Sequence, residues 1–256
     1  MFLVATVGVF ETARLARTEL EAIARYAARA VWPDGFNVYQ RGANADGIFI
    51  VTRGRIVLRC RVKSGRGFIP AVITPGGTFG GEGLATTGSD ATGVPHGAVY
   101  MTEARADDET ETLHLSGARF RALVREQPQH ALALVGQAMA EHAALLERVR
   151  ELATLSVEQR LIAVLTRMAR QRTFLGDDGR LALDAAGYRV LCELVGATRE
   201  SVSLVLNRLI ADGAAERRDN GITIDPQAVA LLRESEWASE TPIPVVDERG
   251  STRATA

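Results

Sequence analysis

The spacing of apolar residues changes along the chain and divides it into regions. From Glu11 to Val31, scattered apolar residues among many alanines predict one or two short helices that end at Trp32. From Phe36 to Leu115 the apolar residues form short runs between Gly, Pro and Asn/Asp signals, as in a small antiparallel barrel. The clearest run, Ile56 to Val62, alternates with period two, so we expect a half-buried strand there.

Turn and loop signals complete the predicted barrel. The stretch from Ser64 to Gly67 has turn composition, and Phe68 to Thr74 supplies the returning strand, in which Pro70 indicates an edge or a bulge. Residues Ala85 to Gly97 are rich in Thr, Gly, Ser and Pro and are expected to form a long surface loop.

A long uninterrupted helix is predicted from Pro128 to Thr154, because apolar residues recur there at alternating spacings of three and four. This heptad seam favours a dimer of two copies of the helix. A helix lying on its own barrel would use many of the same residues, so this alternative stays open. The predicted dimer-interface residues are Leu132, Val135, Met139, His142, Leu146 and Val149.

The C-terminal region has the pattern of a winged helix-turn-helix. A capping box starts a helix at Ser156. Further on, Asp184 caps a helix that ends at Val195, Gly196 supplies a turn, and Thr198 caps a second helix that runs to about Asp212. The following residues, 214–224, predict a β-hairpin with an Asn-Gly turn, which would form the wing.

Length and composition fit this organisation. A chain of 256 residues can form two compact domains. We expect a barrel domain over 1–127, a dimerisation helix over 128–155, a winged helix-turn-helix over 156–233 and a flexible tail over 234–256. The apolar opening, residues 1–10, is too short to span a bilayer, so we expect a cytoplasmic protein without a membrane partner.

The net charge of −1 gives no global signature of nucleic-acid binding, so any DNA contact must come from a local surface. The second helix of the predicted motif supplies one, with Arg199 suited to guanine, Glu200 to cytosine and Leu204 to a thymine methyl. Double-stranded DNA is therefore the expected partner of a homodimer. The full set of predicted DNA contacts is Thr198, Arg199, Glu200, Ser203, Leu204, Asn207, Arg208, Arg217 and Arg218, the arginines after Asn207 being assigned to phosphates.

The order of these parts resembles the Crp/Fnr family of transcription regulators, named after the cyclic-AMP receptor protein and the fumarate–nitrate regulator. Matching stretches include GIFIVTRGRIV, GGTFGGEGL, VEQRLI and VGATRESV, and the last is the most specific. The resemblance implies an α+β fold. Its parts are a cyclic-nucleotide-binding-like antiparallel β-barrel (a double-stranded β-helix), a long dimerisation helix and a C-terminal winged helix-turn-helix. It also implies that Arg199 and Glu200 read the operator, whereas Leu204 replaces the family's frequent arginine.

The same resemblance locates candidate effector-binding positions, namely Gly80, Gly81, Glu82, Gly83, His96, Leu145 and Leu146. The family's cassette continues with an Arg-Ser pair that neutralises a phosphate, but His96 and Gly97 stand near that place here. Leucines replace the polar residues that the long helix offers to the base. These departures disfavour cyclic AMP, and no cofactor is expected. A barrel turn without a ligand is favoured, while another effector stays open.

Other functions have weaker support. A cupin-type enzyme needs clustered ligands, but His96, His114, His130 and His142 show no metal-ligand spacing, and no catalytic motif accompanies them. The protein is therefore not expected to be an enzyme or to hold a metal. The alternative to a DNA-binding regulator is a dimeric protein-interaction module. RNA polymerase is a candidate further partner of a regulator.

Overall fold

The computed structural model describes residues 14–61, 67–84, 98–169, 175–176, 178–218, 221–237, 245–246 and 252–253. The helices are α1 (Arg17–Ala24), α2 (Gly117–Glu126), α3 (Pro128–Thr154), α4 (Val157–Ala169), α5 (Ala185–Val195), α6 (Arg199–Ala211) and α7 (Pro226–Trp237). The strands are β1 (Ala28–Trp32), β2 (Asn37–Tyr39), β3 (Gly47–Arg61), β4 (Gly67–Ile73), β5 (Thr78–Phe79), β6 (Glu103–Ser116), β7 (Leu181–Leu183), β8 (Ala215–Arg218), β9 (Gly221–Ile224), β10 (Val245–Val246) and β11 (Thr252–Arg253).

The predicted barrel is present as a six-stranded antiparallel sheet. The strands β1, β6, β3 and β4 follow one another, while β2 pairs with β6 and β5 pairs with β3. The long strands β3 and β6 carry register shifts near Arg53, which let them bend around a common core. An aromatic cluster fills that core, and the rings of Tyr39 and Tyr100 stack with their centroids 3.7 Å apart.

The expectation of helix up to Val31 was wrong over its last part. Helix α1 covers only Arg17–Ala24, and the residues from Ala28 to Trp32 form strand β1 instead. They pair antiparallel with β6, and the indole nitrogen of Trp32 donates to the Thr112 hydroxyl at 2.9 Å. Pairing with a distant strand overrides the local preference of the alanines for helix.

The central hairpin agrees with the prediction. Strands β3 and β4 pair antiparallel, and their register shifts between Leu58 and Cys60, opposite the part of β4 that contains Pro70. A proline without an N–H fits such a bulge. The predicted turn at Ser64 and the predicted loop from Ala85 to Gly97, which includes His96, lie outside the residues described, apart from Gly67.

Helix α3 has the predicted bounds and presents two different faces. Ala131 and Leu134 are buried against the N-terminal part of the barrel. The predicted seam residues are exposed in the single chain, for example Leu132 at 72% and Met139 at 60%. His142 is exposed as well. The residues buried against the barrel therefore differ from the exposed seam residues, although Met139 and His142 of the seam also border the space between α3 and the barrel.

The C-terminal domain contains the predicted winged helix-turn-helix. Ser156 and Gln159 form the capping box, in which the Ser156 amide donates to the Gln159 side chain at 2.9 Å. The hairpin β8–β9 is extended by β7, which sequence reasoning missed. Helix α7 continues to Trp237, past the expected start of the flexible tail at residue 234, and β10 pairs with β11 within that tail.

The two domains share a packed boundary. The apolar core of the C-terminal domain includes Val57, Ile69 and Val72 from the barrel hairpin. Arg59 on β3 also forms an ion pair with Glu193 on α5 at 3.2 Å. The barrel hairpin is thus in direct contact with the helix-turn-helix.

Within the parts of the chain described, no helix is both long and apolar enough to cross a membrane.

Candidate nucleic-acid interface and barrel cavity

Capping residues define both helices of the helix-turn-helix. The Asp184 carboxylate accepts a hydrogen bond from the Gly187 amide at 2.7 Å and starts α5. Helix α5 ends at Gly196, whose φ of 68° is in the left-handed region that favours glycine. The Thr198 hydroxyl accepts from the Ser201 amide at 3.2 Å and starts α6. Two residues, Gly196 and Thr198, therefore define the sharp turn between the helices.

Loss of the α6 cap should weaken the domain measurably. Replacing Thr198 by alanine is expected to lower the free energy of unfolding by about 1 kcal/mol, because the Ser201 amide loses its acceptor. Urea denaturation at a fixed protein concentration measures this change. The matched variant Thr198→Ser keeps an acceptor oxygen and should stay close to the wild type. Equal losses in both variants would contradict the capping role.

Helix α6 has one buried face and one exposed face. Its buried face consists of Val202, Val205, Leu206 and Leu209. Arg199, Glu200, Leu204, Asn207 and Arg208 are exposed, and Ser203 is half-buried. Leu204 is 67% exposed on this outward face. These positions are the ones that sequence reasoning assigned to DNA.

The outward face of α6 adjoins a concave basic surface that reaches the wing. Four arginines line this concavity, namely Arg189, Arg199, Arg217 and Arg218. Sequence reasoning missed Arg189, although its place on the first helix of the motif could have suggested it. It also missed Tyr188, whose hydroxyl donates to the Arg199 carbonyl at 2.9 Å and ties α5 to the start of α6. The concavity concentrates positive charge beside the outward face of α6.

Several predicted contact residues already have partners. Arg217 donates to the Asn207 side chain at 2.7 Å, which joins the wing to α6. Arg208 forms an ion pair with Glu158 on α4 at 3.1 Å. Any phosphate bound by Arg208 must compete with that carboxylate.

Glu200 is held in its ionised form at the start of α6. Its own backbone amide and the Thr198 hydroxyl lower the pKa of this carboxyl below its ordinary value. An ionised carboxylate can only accept hydrogen bonds, so it suits the amino group of a cytosine.

Near the tip of the wing, Arg218 forms an ion pair with Glu216 at 3.3 Å. The predicted turn residues Asp219 and Asn220 lie outside the described residues.

A cavity of about 600 Å³ lies between the barrel and α3. Among the predicted effector positions, Gly80, Gly81, Glu82 and Leu145 line it. The structure places Leu146 outside the cavity lining, on the exposed side of α3.

Gly83 has a packing role. A Cβ atom there would lie 2.1 Å from the backbone nitrogen of Gly47, so only glycine allows this close approach. The Glu82 carboxylate accepts from the Met101 amide at 3.2 Å. In this glycine-rich run, Gly83 is therefore required by packing within the barrel, whereas Gly80, Gly81 and Glu82 border the cavity.

No group of three or more His, Cys, Asp or Glu side chains that could hold a metal ion occurs in the described part of the chain.

Comparisons with known proteins agree with this architecture. Residues 159–231 match the family model of the Crp-like helix-turn-helix domain. The chain is similar to the cyclic AMP receptor protein of Thermus thermophilus, with 29% identity over 86% of this chain and 93% of the relative. It is 21% identical to the cAMP-activated global transcriptional regulator CRP of Salmonella typhimurium, over 70% of this chain and 80% of the relative.

Solved structures show the same fold. The c-di-GMP responsive global regulator CLP of Xanthomonas campestris superposes with a TM-score of 0.68 at 19% identity, covering 82% of this chain and 99% of that one. A CRP/FNR-family transcriptional regulator of Thermus thermophilus gives a TM-score of 0.63 at 21% identity, covering 81% and 98%. With its barrel, long helix and winged helix-turn-helix, the chain has the fold of the Crp/Fnr regulators and is similar to them, and its residues 159–231 match the Crp-like helix-turn-helix domain.

Proposed function

We propose that this regulator acts as a homodimer on palindromic promoter sites and that α6 reads the bases of each half-site. The observation that carries the proposal is the exposed face of α6, whose polar residues adjoin the arginine-lined concavity under the wing. In this arrangement Arg199 and Glu200 contact base edges, Ser203, Leu204 and Asn207 extend the same face, and the Thr198 end of the helix meets the backbone.

The wing side of the concavity supplies the phosphate contacts. Arg217 and Arg218 of the wing line it together with Arg189 of α5, and an arginine can bind a phosphate oxygen without reading the sequence. Arg208 becomes a further phosphate contact when a phosphate replaces Glu158 as the partner of its guanidinium. Because these contacts release counterions, the affinity should fall as the salt concentration rises.

The exposed heptad seam of α3 supports the dimer. Leu132, Val135, Met139, His142, Leu146 and Val149 are all exposed in the single chain. Leucine, valine and methionine exposed along one stripe of a long helix are typical of a coiled-coil interface. Two copies joined along this seam would place two α6 helices on half-sites roughly 10 base pairs apart.

Selection of bound sequences from random duplex DNA at a fixed salt concentration tests the operator assignment. We expect the wild type to enrich a two-fold palindrome. Arg199→Ala and Glu200→Ala should each lose preference at specific base positions and bind the selected site about 1–3 kcal/mol more weakly. Arg125→Ala removes an exposed arginine from α2, far along the chain from the motif, and serves as the matched control.

The outcomes separate the two functions that the sequence left open. A palindrome that changes in both α6 variants but not in the α2 control supports operator recognition. Absence of any enriched sequence, with the protein folded and dimeric, would contradict it and favour the protein-interaction module. As a regulator of promoters the protein would act in the cytoplasm, where RNA polymerase is a further partner for it.

A further inference from the structure

One tyrosine connects the two helices of the helix-turn-helix at the start of α6. Tyr188 lies in the first turn of α5, and its half-buried ring packs against the apolar core of the C-terminal domain. Its hydroxyl donates to the Arg199 carbonyl at 2.9 Å, and the Ser203 side chain forms a further hydrogen bond with the same phenol. Arg199 and Ser203 are neighbours on one face of α6, in successive turns. A single hydroxyl thus contacts two turns of the helix.

The bond from Tyr188 is not needed to form α6. The Thr198 hydroxyl already caps the helix by accepting from the Ser201 amide. A carbonyl oxygen has two lone pairs, so that of Arg199 can accept from the phenol in addition to its bond within the helix. The contribution of the phenol is therefore a connection between α5 and α6, which sets how one helix lies on the other.

The phenol keeps its donor at neutral pH. Burial raises the pKa of Tyr188 above its ordinary value, although the hydrogen bond with Ser203 acts in the opposite direction. The hydroxyl therefore stays protonated at neutral pH and donates to the Arg199 carbonyl.

A directional bond limits the rotation of α6 more closely than its apolar face does. That face consists of Val202, Val205, Leu206 and Leu209. Apolar burial is non-directional, whereas a hydrogen bond weakens steeply as its angle departs from linear. Arg199 and Glu200 are exposed on the first turn, so a small rotation there moves the charged ends of their side chains further than it moves the backbone.

We propose that Tyr188 is a positioning residue for base recognition, whose hydroxyl fixes the first turn of α6 against α5 so that Arg199 and Glu200 meet the base edges at a defined angle. The inference rests on the proposed operator function and deepens it, because it adds a residue of the first helix that determines specificity.

Positioning should affect base contacts more than phosphate contacts. A bidentate contact with a base needs two aligned hydrogen bonds, so it is sensitive to the angle of the helix. Phosphate contacts carry no sequence information, and those proposed for Arg217 and Arg218 come from the wing. Loss of the Tyr188 hydroxyl should therefore reduce discrimination between sequences and leave non-specific binding nearly unchanged.

Tyr188→Phe tests the proposal, because it keeps the ring and removes only the hydroxyl. Fluorescence anisotropy at a fixed salt concentration measures the affinity of the full-length protein for three duplexes. They are the palindrome selected by the wild type, the same palindrome changed at the base pair whose preference Arg199→Ala loses, and an unrelated sequence. We expect the ratio of the first two affinities to fall by about fivefold, and the affinity for the unrelated duplex to stay within about twofold.

This ratio separates positioning from a loss of stability. A smaller folded fraction lowers binding to all three duplexes equally and leaves the ratio unchanged. Tyr26→Phe is the matched control, since it removes the same atom from a tyrosine of the barrel, where the hydroxyl donates to Glu126 at 2.8 Å. It should keep the wild-type ratio. Incorporation of para-aminophenylalanine at position 188 restores an N–H donor at the para position and should recover most of the discrimination.

The outcomes distinguish positioning from operator recognition itself. An unchanged ratio in Tyr188→Phe, with a wild type that has a clear preference, would overturn the positioning role and leave operator recognition intact. An equal loss on all three duplexes would also overturn it, because the hydroxyl would then not act on the reading of bases. A wild type that prefers no sequence would overturn both.

Discussion

Replacing Met139 and Leu146 together by glutamate is expected to convert the protein into monomers and to weaken operator binding by about 100-fold or more. Both side chains are more than half exposed in the single chain, at 60% and 57%. Across a symmetric seam, carboxylates at these positions would face one another in an apolar interface, where unpaired charges are strongly unfavourable. Sedimentation equilibrium measures the dimer, and fluorescence anisotropy with a selected palindrome measures the affinity.

The control for this experiment is Gln129→Glu. Gln129 is exposed on the same helix but lies outside the heptad positions of the seam, so a carboxylate there should change neither the dimer nor the affinity. A monomeric double variant that retained full operator affinity would contradict the coupling between dimerisation and DNA binding. A dimeric double variant would show that the interface lies elsewhere.

Replacing Arg148 by alanine is expected to lower the free energy of unfolding by about 3 kcal/mol. Arg148 is only 1% exposed, pairs with Glu151 at 2.9 Å and donates to the Leu194 carbonyl at the end of α5. Its guanidinium also lies over the Phe68 ring, 5.2 Å from the centroid. The variant would leave the Leu194 carbonyl without this donor in the buried junction between α3, β4 and α5.

The loss should fall at the lower end of the range for buried pairs, because Arg167 also binds Glu151 and continues to neutralise it. Urea denaturation at one protein concentration measures the change. Arg150→Ala is the matched control, since Arg150 pairs with Glu147 on the exposed surface and should cost less than about 1 kcal/mol. Similar losses in the two variants would show that the buried junction adds no stability of its own.

Local patterns predicted much of the fold and the exposed face of α6 that we propose contacts DNA. The bounds of α3, the caps at Asp184 and Thr198 and the period-two strand in the barrel depend on residues close together in the chain. The exposed positions of α6 follow from the same periodicity, since its apolar residues fix which face is buried. Such features are visible in one sequence because their physical causes are local.

Other features depend on contacts between distant residues. Ala28–Trp32 is a strand because β6 pairs with it, and Arg189 joins the basic concavity because α5, α6 and the wing border the same space.

By itself, then, the sequence determined the order of barrel, long helix and winged helix-turn-helix, since periodicity and capping are encoded within each segment. Only the tertiary structure showed that Gly83 packs against Gly47 while Gly80, Gly81 and Glu82 border a cavity without lysine or arginine among its described lining residues. These contacts form between segments that are far apart in the chain. The spacing of residues within one segment therefore does not predict them.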